Sequence, residues 1–198
     1  MWKGILALWC AGTMATFGQA VLEPPLGMKW GDRPERLIQW ADQHELDVGI
    51  DLPARSPEMR VIRLSRSSPS RPIENGIRRI EARYVEGRMI EMTLHYGGQG
   101  NSGEQVEADF NLEKKRLTTE HGKFIANQHE KVVKNEFSTE TRSLHREPVR
   151  GLFLLIAFTR IEDLLRHQSE AEYSVMYRND NLRIMIENQR AEDPGKAR

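Results

Sequence analysis

The stretch IRRIEARYV, Glu86-Gly87, RMIEMTLHY limits what this chain can fold into more than any other. It alternates apolar and polar residues on both sides of a tight-turn signal. Successive side chains of a strand point to opposite faces, so Ile80, Ala82 and Tyr84 share one face of the first strand. Ile90, Met92, Leu94 and Tyr96 do the same on the second. The short turn between antiparallel strands needs positive φ, which Gly87 supplies at little cost. The pattern predicts a β-hairpin with one face in a core, and with Arg79, Glu81, Arg83, Glu91, Thr93 and His95 toward water.

Two helices flank this unit. Asp32 followed by Glu35 has capping-box spacing, and Leu37, Trp40, Ala41 and His44 recur at helical spacing, which predicts a helix at about 33–45. Ser102 with Gln105 starts another at 103–121, with Val106, Phe110 and Leu117 as its buried stripe and Gly122 as its stop. LDVGIDL and MRVIRLS read as short strands, and the Ser/Pro/Arg-rich 65–76 as a flexible loop. KVVKNEFSTETRSLHRE reads as one long polar strand at a sheet edge, with 131–146 free to pair with a partner strand. VRGLFLLIAF fits a strand buried on both faces. Thr159 and Glu162 have capping spacing, which predicts a short third helix at about 160–168. AEYSVMYR, Asn179-Asp180-Asn181 and LRIMIEN then form a closing hairpin before a loose tail, 191–198. The expected fold class is α+β, a mainly antiparallel sheet with these three helices packed on it as a single domain over 21–190.

The N-terminus reads as an address. Lys3 is the only charge before Glu23, and Gly4–Phe17 is an apolar run of the length found in secretory signals. Gly18-Gln19-Ala20 places small residues where a signal peptidase inspects them, so residues 1–20 are expected to be cut off before Val21. A spanning helix competes, because Gly4–Leu22 is uncharged, but Gly12, Gly18, Gln19 and Pro24-Pro25 interrupt it. Lipidation of Cys10 would need small residues where Leu8-Trp9 stand. Cleavage predicts an exported protein, periplasmic or extracellular, without stable membrane insertion. Retention predicts a membrane-tethered module.

Cys10 is the only cysteine and lies inside that leader, so the exported chain would carry no disulfide, thiolate nucleophile or cysteine metal site. The 29 basic and 29 acidic side chains balance, which argues against a nucleic-acid binder, whose affinity needs clustered excess Lys and Arg. Arg60, Arg63, Arg66, Arg71, Arg78 and Arg79 crowd one stretch. Of these, Arg60, Arg63, Arg71, Arg78 and Arg79 are the candidate patch for an anion or a partner, since guanidinium grips carboxylate and phosphate bidentately. The bland alternative is a solvated strand face balanced by acids.

The histidines His44, His95, His121, His129, His145 and His167 show no metal-ligand spacing, so no metal or cofactor is expected. Ser143, His145 and Glu147 alternate and would share a strand face. Same-face neighbours along a strand stand about 6.5–7 Å apart, too far for a direct relay, and no GxSxG elbow is present.

The segment GMKWGDRPERLIQW, with its Gly-x-x-aromatic-Gly entrance to an amphipathic helix, resembles uncharacterised exported bacterial α+β proteins over residues 27–41. The resemblance implies a helix followed by strands and a late hairpin, and it brings no catalytic motif. Together these readings point to a non-catalytic binding or interaction module of the cell envelope, whose partner is an envelope protein or an anionic surface component. The rival class is a metal-free hydrolase using His145 or His121.

Overall fold

The computed structural model describes residues 22–192 apart from Arg55, Pro57, Pro69, Ser70 and Gln99. The expected leader 1–20 and residues 193–198 of the expected tail lie outside the described residues. The order is α1 (Pro34–Gln43), β1 (Asp47–Asp51), β2 (Met59–Ser65), β3 (Ile77–Val85), β4 (Arg88–Gly97), α2 (Gly103–His121), β5 (Ile125–Lys134), β6 (Phe137–Val149), β7 (Leu152–Asp163), β8 (Gln168–Asn179) and α3 (Asp180–Glu192). The eight strands form one sheet in the order β1-β2-β3-β4-β8-β7-β6-β5, every neighbouring pair antiparallel. The α+β class with three helices on an antiparallel sheet is therefore as the sequence predicts.

The topology has a seam. A helix followed by a four-stranded meander occurs twice, and the two meanders join only where β4 pairs with β8. Each helix covers its own half. Leu37 and Ala41 of α1 pack on Ile62, Leu64, Ile80, Ala82, Tyr84, Met92 and Leu94. Val106, Phe110 and Leu117 of α2 pack on Leu154, Ile156, Phe158, Tyr173 and Val175. Among the described residues, the opposite sheet face is covered at one end, where Ile186 and Leu182 of α3 meet Val85 and Ile90.

The central hairpin forms as its alternation requires, with Glu86 at φ 49 and Gly87 at φ 73. One detail differs. Arg83 pairs with Glu91 and Tyr84 with Met89, so Ile90 is an extra bulge residue. The bulge turns Ile90 toward α3 and gives its place in the first core to Met89. Glu91 and Thr93, expected in water, are buried. The α2 capping box forms as read, Ser102 Oγ accepting from Gln105 N–H at 3.2 Å. Asp32 instead precedes the N-cap, Arg33, and its carboxylate accepts from Lys29 N–H at 2.7 Å.

The third helix is not at 160–168. β7 continues through Asp163, paired on both sides with β6 and β8, and Asp163 Oδ1 then accepts from Leu165 and Arg166 N–H to turn the chain. Ladder bonds on both edges outweigh a capping spacing that has no helical stripe behind it. The helix forms instead over 180–192, where a closing strand and a loose tail were expected. Asn179 Oδ1 accepts from Leu182 N–H, and Leu182 and Ile186 meet the sheet at i, i+4 spacing. The long polar strand is likewise two strands. Asn135 adopts φ 56, which its short side chain tolerates, and folds 125–149 into the β5–β6 hairpin. The sheet edge is thus β5, and 137–146 lies inside the sheet. β7 is fully buried on one face only, its alternate residues being half-buried.

Candidate functional site

A cleft opens above the seam. Its floor is built by alternation in β4 and β8, which sends Tyr96, Tyr173 and Tyr177 to the helix-covered face. Tyr96 and Tyr173 are direct cross-strand partners whose rings stack at 4.5 Å and 5°. Phe110 of α2 meets Tyr173 edge-on at 6.1 Å. One wall is α2, through Asp109, Leu112, Glu113 and Arg116. The other is the loop before β3, through Asn75 and Gly76, with Pro25 and Leu26 of the N-terminal lead-in. Two lobes of about 610 and 420 Å³ share Asn75, Tyr96, Glu113, Arg116 and Tyr173, so they form one continuous groove.

Gly97 sets how closely the walls approach. At φ +83, its missing Cβ leaves room for Val106 of α2 and the Ala171 carbonyl, which would lie 2.9 and 2.7 Å from that atom. Charges of both signs line the groove, Arg78 and Arg116 with Glu74, Asp109 and Glu113. Arg116 grips Glu113 through two bonds of 2.6 and 2.8 Å and Glu120 at 2.7 Å, which holds its charge firmly in place. Arg78 donates to Asn101 at 2.8 Å. Burial raises the phenol pKa values of Tyr96, Tyr173 and Tyr177, so all three remain protonated at neutral pH and can both donate and accept. Such a site can orient a ligand through hydroxyls and ring surfaces.

The candidate arginines do not converge. Arg63 and Arg79 share the face away from α1 and α2, where Glu81 lies 3.3 and 3.4 Å from them, and Arg63 also pairs with Asp51. Arg78 faces the seam groove. Arg60 is exposed opposite Tyr84, and Arg71 is exposed in the loop. Sequence reasoning missed Tyr96, Tyr173, Tyr177 and Arg116 as a group. Their only local signal is strand alternation and a helical position, and nothing local joins β4 to β8.

His145 lines a smaller cavity of about 220 Å³ on the opposite face, with Asn127, Phe153, Leu155, Met176 and Arg178. Ser143 shares that face, but its hydroxyl accepts from Asn127 Nδ2 at 3.2 Å. Glu147 accepts from Gly151 N–H at 2.6 Å in the β6–β7 turn. His121 ends α2 beside Glu120 at 3.8 Å, and burial lowers its pKa. Among the described residues no three His, Cys, Asp or Glu side chains are grouped to hold a metal, and no helix is long and apolar enough to cross a membrane. Comparison with family models, with curated proteins and with solved structures finds no match to this chain.

Proposed function

We propose that the protein is an exported, non-catalytic binding module of the cell envelope, and that the seam groove seats a segment of an envelope partner protein. The observation that carries this reading is the groove itself: a tyrosine floor, a wall whose Arg116 is already held by Glu113 and Glu120, and a length made by two merging lobes. Aromatic and hydroxyl-bearing surface that stays neutral suits a polypeptide segment, which offers amides and apolar side chains. An anionic surface component fits less well, because Arg63, Arg79 and Arg116 already hold carboxylates. The commitments of Ser143 to Asn127 and of Glu147 to Gly151 weigh for binding over hydrolysis at His145.

The test is site-specific photocrosslinking of the full chain in its host. A crosslinker replaces Leu112, exposed at the groove rim, or Ile184, exposed on α3 over the other face. A single envelope protein captured from Leu112 and not from Ile184 is expected. Equal capture from both positions, or none, would sink the groove reading. The intact mass of the crosslinked species reads the export step as well: a chain beginning at Val21 supports cleavage, and a full-length chain supports the tethered alternative.

A further inference from the structure

We propose that β5 joins two copies of this chain, extending the sheet through an antiparallel β5–β5′ ladder centred on Val132. The inference rests on the sheet edge and is independent of the groove. β5 is the last strand of the sheet, paired with β6 on one side only, and all ten of its residues are exposed. Among the described residues no element covers β5, and a long edge strand without proline is a template for pairing. The opposite edge is protected: β1 has five residues and begins and ends with aspartate.

The backbone phase follows from the turn. Asn135-Glu136 is a two-residue connection, so Lys134 and Phe137 exchange hydrogen bonds, and the alternate residues Lys131 and Val133 direct N–H and C=O outward. A dyad perpendicular to the sheet keeps each face on its own side. Side chains that meet across it must therefore come from the same face, and the centre must fall on a residue.

Only one centre is complementary. At Glu130 or Lys131, like charges meet on the axis. At Val133, Glu130 faces Glu136 of the second copy. At His129, the bulge at Asn127 interrupts the ladder. At Val132, each Glu130 faces Lys134 of the second copy, each Lys131 faces Val133, and Val132 faces itself. That last pair is non-hydrogen-bonded, the kind in which side chains stand closer. The register also completes a row. Val132, Thr139 and Ile161 are cross-strand neighbours on one face, and Val132 and Ile161 are 46% and 48% exposed, so the dyad continues a β-branched row through both molecules.

Sedimentation equilibrium of the purified full chain tests this. A dimer is expected. Glu130→Lys and Lys134→Glu should each weaken it about tenfold by setting like charges opposite at two places, and the double exchange should restore it. Val132→Lys should abolish it. In a Cys10→Ser background, Val132→Cys should oxidise to a covalent dimer and Val133→Cys should not. Circular dichroism monitors the fold of each variant, and Glu130, Val132, Val133 and Lys134 are all exposed. A monomer at every concentration, a dimer indifferent to Val132→Lys, or a double exchange that fails to rescue would overturn the proposal. So would a monomer whose β5 captures a strand of another protein.

Discussion

Gly97→Ala should be among the most damaging small changes in the molecule, and the structure says by how much. At φ +83 an alanine pays left-handed strain of about 1–2 kcal/mol, less the roughly 0.4–1 kcal/mol gained by restricting the unfolded chain. Its Cβ would also lie 2.7 Å from the Ala171 oxygen and 2.9 Å from Val106 Cγ1. The carbonyl cannot swing away freely, because it accepts from Gly98 N–H at 2.8 Å. Shifting it endangers that bond, worth about 1 kcal/mol, and overpacks α2 against the seam by about 1–3 kcal/mol. The expected loss is about 2–5.5 kcal/mol. Gly87→Ala is the matched control, since Gly87 sits at φ +73 with nothing within 4 Å of the added atom. It should lose only the backbone strain, about 1 kcal/mol or less. Urea unfolding followed by circular dichroism and tryptophan fluorescence measures both. If the two variants differ by less than about 0.5 kcal/mol, the close approach of α2 to β4 and β8 is not what holds the seam.

Phe158→Ala should cost about 3–5 kcal/mol in the same assay, because the ring is fully buried between Phe110 at 5.2 Å and the Arg142 guanidinium at 4.4 Å; a loss below 1 kcal/mol would deny that packing. His95 supplies a pH test: burial first, then Arg79, lowers its pKa to about 4, against the pull of Glu81, so the unfolded chain binds the extra proton between about pH 4 and 6.5. Stability should therefore fall as pH drops through that window, and His95→Gln should make the fall shallower. The wild-type-minus-variant difference removes the opposite slope of Glu91, whose pKa burial raises, and the parallel one of His121. Identical slopes in wild type and variant would refute the assignment.

Local patterns carried much of this fold and little of its site. The β3–β4 hairpin and α2 were legible because turn, alternation and capping box all lie within a few residues of the segments they specify. The failures fall where two local signals compete and a distant partner decides. Thr159 and Glu162 have a capping spacing, yet their neighbours on β6 and β8 hold them extended. Leu182, Ile184 and Ile186 alternate like a strand, but Leu182 and Ile186 also fit a helix stripe, and Asn179 is placed to cap it. Asn135 turned the chain without the glycine that would have marked a hairpin. The groove was least legible of all. Tyr96 and Tyr173 become neighbours only through the one ladder that joins the two halves, and no local pattern encodes that register.

That single ladder explains why the groove opens at the seam. α1 and α2 each cover the strands of their own half, and α2 reaches over the join only beside Gly97 and Ala171, so the rest of the join is closed from below by large side chains. Tyrosine suits this position because its ring seals the core while its hydroxyl end tolerates a polar surface. The same join is secured by the lead-in that precedes α1. Met28 packs in the first core, Leu22 is buried in the second, and Trp30 packs there and donates to the Leu22 carbonyl at 2.7 Å. Residues 22–30 thus strap one half to the other, and Leu26 lines the groove they cross. Loosening the strap should therefore weaken both the joint and the site, since the groove wall and the clasp are the same segment.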